Sequence, residues 1–342
     1  MRRFTFASTS NIRQNLIKNT ARPAVPAPTL PAPTLPAVKN PLLKSKLFSM
    51  RYNEPDEKKM AILLIYFNAQ GSLRIINNLL FVKQMLDSAN IPYFIGEMSI
   101  NNSPFLFAKS NNIFHFQSPD VMFYKENIIN LMEPLLPPIY DKLCIMDTDI
   151  IFDNTDWYTL LANKLNDVNI CQPFSSTYWL NISYDDIIRS NVSYLKDRIF
   201  GHEGFVWGFQ RTWFNAYKYP LFGFIGSGDT IFVKAVFERE IFKNHQYIYH
   251  YLSNYINNLP PTVSSAYLDL TIYHLYHGSI KNRQYVSKHL ALNTLLEKLN
   301  ITEIEKFIKY NAEGVMQWIP TYRSKLNSFM EEHLINRNDD SI

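Results

Sequence analysis

Cys144-Ile145-Met146-Asp147-Thr148-Asp149-Ile150-Ile151-Phe152 is an apolar run that ends in two carboxylates and then resumes as an apolar run. A buried strand uses the apolar residues but has no reason to stop on Asp-Thr-Asp. Two acids one residue apart suit a divalent ion at the mouth of a sheet, because carboxylate oxygens are good ligands for Mg²⁺ or Mn²⁺. The competing reading is a solvated strand end or turn, where Asp is also common. The surrounding sequence has to decide between the two.

Strands and helices alternate on either side of this stretch. Residues 61–67 are continuously apolar, as in a parallel strand covered on both faces. Asn68-Ala69-Gln70-Gly71-Ser72 breaks the run, and Leu73, Ile76, Leu79, Leu80, Lys83 and Leu86 carry a helical period through residues 74–88. Residues 91–97 and 113–117 read as further strands, and 125–135 as a helix that stops before Pro137-Pro138. Residues 143–146 and 168–173 read as the fourth and fifth strands. This alternation implies crossover connections and an α/β sheet. It places Asp147 and Asp149 at the C-terminal end of an inner strand, the edge where open α/β sheets bind ligands, with the loop 68–72 at the same edge. There is no Gly-x-Gly-x-x-Gly and no Gly-x-x-x-x-Gly-Lys-Ser/Thr, which disfavours a dinucleotide fold and a P-loop.

The chain has 342 residues and is 46% hydrophobic, enough for a sizeable core. Its charge is uneven. The first 50 residues hold eight Lys or Arg and no acid, whereas the remainder carries 26 basic and 30 acidic residues. A body so close to neutral is a poor nucleic-acid binder, which needs a concentrated basic face. Residues 1–57 form a separate zone with Pro-Ala-Pro-Thr-Leu repeated from Pro26 and Pro31, read as an extended, disordered tail or tether. Its start resembles a mitochondrial presequence in charge alone. Cys144 and Cys171 sit in apolar runs and read as buried free thiols, which excludes a disulfide scaffold and fits a reducing compartment. The expected location is cytoplasmic, or a host cytoplasm or virion should the source be a large DNA virus. No run of 18 uninterrupted apolar residues exists to cross a membrane.

The second half is organised around glycine and histidine. Six of the 10 glycines fall between Gly201 and Gly228, flanked by His202, Glu203 and Asp229. Such concentration marks tight turns or close approach to a ligand. His274 and His277 are three apart in Thr271-Ile272-Tyr273-His274-Leu275-Tyr276-His277-Gly278. The β-branched and aromatic content of residues 271–276 favours a strand, on which the two rings point to opposite faces and only one enters a site. Residues 288–299, 302–310 and 329–334 read as amphipathic helices.

Residues 61–285 together resemble a GT-A type glycosyltransferase. The resemblance rests on the order of Asp147-Thr148-Asp149, Gly204-Phe205-Val206-Trp207-Gly208-Phe209, Gly226-Ser227-Gly228-Asp229 and His277-Gly278. It implies a single Rossmann-like mixed sheet flanked by helices over residues 60–285, with a C-terminal helical extension at 286–342. It further implies Mn²⁺ or Mg²⁺ on the diphosphate of a nucleotide-sugar donor, with a UDP-sugar favoured, and a glycan, protein or lipid hydroxyl as acceptor. By that resemblance Asp149 and His277 bind the metal directly, and Asp147 binds it through water or contacts the ribose. Phe67, Asn68 and Gln70 border the base and ribose. Trp207 and Tyr178 stack on the sugar. Gly278 lies beside the metal-binding histidine, and Lys281 or Arg283 meets phosphate. Inversion at the sugar requires a base within reach of the acceptor hydroxyl. Asp229 is the first choice and Glu203 the second. The competing readings are a metal-dependent nucleotidyltransferase or phosphohydrolase, and a noncatalytic binding or structural protein on the same scaffold.

Overall fold

The computed structural model describes residues 41–241, 247–283 and 287–341. The first half runs α1 (Pro41–Ser49), β1 (Met60–Phe67), α2 (Leu73–Ser88), β2 (Tyr93–Ile100), β3 (Ile113–Ser118), α3 (Lys125–Met132), β4 (Lys142–Met146), β5 (Ile150–Phe152), α4 (Trp157–Lys164) and β6 (Ile170–Gln172). Then come β7 (Ser176–Leu180), β8 (Ile187–Val192), β9 (Val206–Gln210), α5 (Arg211–Tyr217), α6 (Gly228–Val233), α7 (Tyr249–Asn258), β10 (Ser265–Tyr267) and β11 (Thr271–His274). The C-terminal region holds α8 (Ser287–Lys298), β12 (Ile308–Tyr310), β13 (Met316–Trp318) and α9 (Pro320–Arg337).

The main sheet has the order β10-β6-β9-β4-β1-β2-β3. Its β3, β2, β1 and β4 are parallel, and β9 is antiparallel between β4 and β6. The apolar runs of β1, β2 and β4 are buried on both faces, which is why they read as continuous rather than alternating. Met60, Ile62 and Leu64 enter one core with α1, α2 and α4, while Ala61 and Leu63 enter the other with α3, α5, α6, α8 and α9. The fold is thus mixed α/β, with helices on both faces of a central sheet and a C-terminal helical region. Cys144 and Cys171 are buried and free. Among the described residues no helix is long and apolar enough to cross a membrane.

The connections position the site. The chain lays β2 and β3 on one side of β1, then crosses back to place β4 on the other. Crossovers diverge at the β1/β4 pair, and a crevice opens beyond the C-terminal ends of both strands. Beyond Asp149 the chain enters a second sheet, order β5-β11-β7-β8, that no local pattern announces and that departs from the single sheet expected.

Three other expectations are corrected. Residues 1–40 of the Pro-rich zone lie outside the described residues, but its end belongs to the folded body. There α1 buries Leu43 and Leu47, and the Tyr52 hydroxyl receives the Phe152 N–H at 3.0 Å. Residues 302–310 are not one amphipathic helix. A short 3₁₀ turn at Ile304–Lys306 leads into β12, which pairs with β13 and stacks Phe307 on Trp318. The strand at 271–276 ends at His274, with consequences for the histidine pair.

Candidate active site

The two acids of the Asp-Thr-Asp stretch go to different partners. The Asp147 N–H donates to the Phe205 carbonyl at 2.9 Å, extending the β4–β9 ladder by one residue. Thr148 follows, and β5 then pairs antiparallel with β11 in a register that sets His274 opposite Ile150. That register brings His274 beside Asp149, and the Leu275 N–H donates to the Asp149 carbonyl at 2.8 Å. Because the strand stops there, the chain turns and returns His277 to the same point. His277 Nε2 lies 2.8 Å from Asp149 Oδ2 and 3.1 Å from His274 Nε2. Asp149, His274 and His277 each offer a ligand atom within 4.8 Å of the others, and both rings are buried. Such a donor set fits a divalent metal ion. The expectation that only one histidine enters the site is therefore wrong, because strand alternation ends with the strand.

Asp147 is not part of that cluster. Its carboxylate receives Lys125 Nζ at 2.7 Å. Lys125 opens α3 and also reaches Asp229 Oδ2 at 3.0 Å, while the Tyr219 hydroxyl donates to Asp229 Oδ1 at 2.7 Å. Burial acts to lower the Lys125 ammonium, but Asp147 and Asp229 outweigh it and hold it well above its ordinary value. Replacing Lys125 with Met would leave two carboxylates facing each other without a cation. We expect a loss of about 3 kcal/mol at pH 7 by urea denaturation, the low end for a broken buried pair, since the cluster borders the cavity.

Glu126, next in α3, is 2% exposed, and its Oε2 has no hydrogen-bond partner among the described residues. Burial pushes it up to about 7, against the pull of Lys125. The clustered glycines make room for these acids. A Cβ on Gly228 would lie 1.6 Å from Glu126 Oε1, and one on Gly204 would lie 2.9 Å from Asp229 Oδ2. Glu203 receives the Thr230 hydroxyl, and burial raises its carboxyl too.

A folded-state value above the unfolded one means that the native state keeps its proton longer as pH rises. Stability from Glu126 is then fully present below about 4.5 and declines through the window up to about 7. Glu126→Gln should raise the unfolding free energy at pH 8 by up to about 3 kcal/mol, and by far less at pH 5. Urea titrations at both pH values check this.

A cavity of about 490 Å³ joins these groups, within the range of small-ligand sites. Its lining includes Phe67, Asn68 and Gln70 from the β1 end, Asp147 and Asp149 from the β4 end, and Glu203, Asp229, His274 and His277. Trp207 is not there. It is buried in the core against Phe232 and Phe237, with its indole N–H on the Glu203 carbonyl at 2.9 Å. Tyr178 packs beside Tyr273 and is likewise absent from the lining. Gly278 follows His277 outside the lining, Lys281 is exposed away from it, and the Arg283 side chain lies outside the described residues.

Sequence reasoning missed Lys125, Glu126, Arg189, Lys288, His333 and Arg337, all of which line the cavity. The first two were read only as the start of a helix. The last three come from the C-terminal region, where nothing local marks a site. Burial, Lys288 and Arg337 together push His333 down to about 4, so it is neutral at pH 7.

No protein-family model matches the chain, and no curated protein matches it in sequence. Solved structures similar to it include the catalytic domain of Drosophila beta1,4-galactosyltransferase 7 in complex with xylobiose, at 16% identity and a TM-score of 0.28. That match covers 47% of this chain and 52% of the Drosophila one, about half its length. Glucosyl-3-phosphoglycerate synthase from Mycobacterium tuberculosis, in complex with Mg²⁺ and uridine diphosphate, is 9% identical with a TM-score of 0.37, over 82% of this chain and 90% of that one. Mannosyl-3-phosphoglycerate synthase from Rubrobacter xylanophilus is 8% identical with a TM-score of 0.33, over 82% and 95%. Likenesses this weak transfer no function, so the chain's own residues have to carry the reading.

Proposed function

We propose that the protein is a metal-dependent glycosyltransferase that moves a sugar from a nucleotide-diphosphate sugar, with a UDP-sugar favoured, to a hydroxyl acceptor. The observation that carries the reading is one cavity with two chemically distinct walls. One wall has the Asp149–His274–His277 donor set, and the other has the Asp147–Lys125–Asp229 chain of charges. Both lie beyond the C-terminal ends of β1 and β4, where an α/β sheet takes its ligand.

Asp149, His274 and His277 would hold the cation, which when bound offsets the charge that develops on the diphosphate leaving group. Two imidazoles among three donors favour Mn²⁺ over Mg²⁺, which prefers oxygen ligands. Arg337 and Lys288 add positive charge on the cavity wall and suit the remaining phosphate charge. Asn68 and Gln70 border the crevice at the β1 end and suit the nucleoside. Asp229 is the proposed base. Tyr219 and Lys125 hold its carboxylate in place, and it takes the proton of the acceptor hydroxyl. Transfer then inverts the sugar's configuration.

The test is a thermal-shift panel of nucleoside diphosphates with and without Mn²⁺, followed by sugar-nucleotide hydrolysis with the same metals. We expect a Mn²⁺-dependent shift with UDP. No shift with any nucleoside diphosphate would sink the reading in favour of a noncatalytic scaffold. One observation favours a nucleotidyltransferase instead, namely Lys125 inside the cavity, where it could face phosphate. Pyrophosphate release from a nucleoside triphosphate and a sugar 1-phosphate would decide for that reaction.

A further inference from the structure

His277 stands beyond the last ladder pair of β11, so the sheet does not hold its ring. The segment after α9 returns to this point. Asp339 Oδ1 lies 3.3 Å from His277 Nδ1, the side of the ring away from Asp149 and His274. Arg337 Nε donates to the same Asp339 oxygen at 2.9 Å. On either side of that contact the segment is tied down. The Tyr276 hydroxyl donates to the Ser341 carbonyl at 3.1 Å, and the Ser279 N–H donates to Ser341 Oγ at 3.0 Å. Asp340 sits at the start of α2, where Ser72 Oγ, Leu73 N–H and Arg74 N–H donate to its carboxylate at 2.6, 3.2 and 3.1 Å. The fit over the histidine loop is close. Gly278 has φ +88°, and a Cβ there would lie 2.7 Å from the Asn338 carbonyl oxygen and 2.9 Å from Asp339 Cα.

We propose that residues 337–341 form a latch that holds His277 in its metal-binding orientation, with Asp339 as the positioning residue on its Nδ1. The inference rests on the metal reading of the Asp149–His274–His277 cluster. A histidine that binds metal through one nitrogen needs the proton on the other, and a carboxylate behind the ring fixes that tautomer and the ring's direction. Asp339 occupies that position on His277. Asp340 anchors the latch to the corner between β1 and α2, so one short segment joins the nucleoside side of the crevice to the metal side.

Calorimetric titration of the full chain with Mn²⁺ tests this, together with the melting temperature of each metal-free variant. Wild type should bind, and Asp149→Ala should not. Asp339→Ala should weaken Mn²⁺ roughly 10–100-fold with the metal-free melting temperature unchanged. Asp339→Asn keeps an acceptor for Nδ1–H and should recover part of that loss. Asp340→Ala, remote from the ion, should weaken binding in the same direction. Wild-type affinity in Asp339→Ala, with binding lost in Asp149→Ala, overturns the latch and leaves the metal reading standing. Should wild type itself fail to bind, the metal reading fails and the latch falls with it. Where Asp339→Ala does not fold, unchanged affinity in Asp340→Ala overturns the proposal.

Discussion

Asp149→Ala is expected to remove divalent-cation binding and sugar transfer together while leaving the fold intact. Asp149 supplies the carboxylate donor of the cluster, and His274 and His277 alone offer two imidazole nitrogens. Mn²⁺ affinity should fall more than ~100-fold, beyond what the loss of a residue that only orients a ligand costs. Turnover should fall roughly 10²–10³-fold or more, the range seen when a group that stabilises developing charge is removed. The fold should survive because the contact that extends the β5–β11 ladder here, from the Leu275 N–H to the Asp149 carbonyl, is main-chain. Calorimetry with Mn²⁺ and a sugar-nucleotide hydrolysis assay check both losses. Activity that persists in this variant would sink the metal assignment.

Asp229→Asn should separate chemistry from binding. Asparagine keeps a carbonyl oxygen for the Tyr219 hydroxyl, and Lys125 keeps its ion pair with Asp147, so the cavity wall stays in place. The amide cannot accept the acceptor's proton. We expect kcat to fall about 10²–10⁴-fold, the contribution of a positioned base, with the UDP thermal shift unchanged. Turnover that survives would remove Asp229 from the role. Glu203→Gln then asks whether the second carboxylate, held by Thr230, replaces it.

The legible parts of the chain are those whose environment is local or uniform. The apolar runs of β1, β2 and β4 announce strands because both faces of the sheet are covered. The apolar period after the loop 68–72 announces α2, whereas the Ser72 hydroxyl that receives the Ile75 N–H at 3.2 Å is known only from the structure. Asp147 and Asp149 stood out because acids are costly at the end of a buried strand without a use. Trp207 misled for the opposite reason. An aromatic in a glycine-flanked strand looks the same in sequence whether it faces ligand or core, and here it faces core. The run at 302–310 misled because helical spacing alone does not reveal a partner strand, and β13 supplies one.

By itself the sequence determined an α/β body, the position of the Asp-Thr-Asp turn at a strand's C-terminal end, and the inventory of acids and histidines fit for a metal-dependent site. Periodicity and burial encode these, and each is set by neighbours a few residues away. The tertiary structure alone decided how the inventory divides. The β5–β11 register gave Asp149 to His274 and His277, the start of α3 gave Asp147 and Asp229 to Lys125, and the chain's last described residues put Asp339 behind His277. Those contacts join residues 22 to 128 positions apart, so packing fixes them and no local pattern records them.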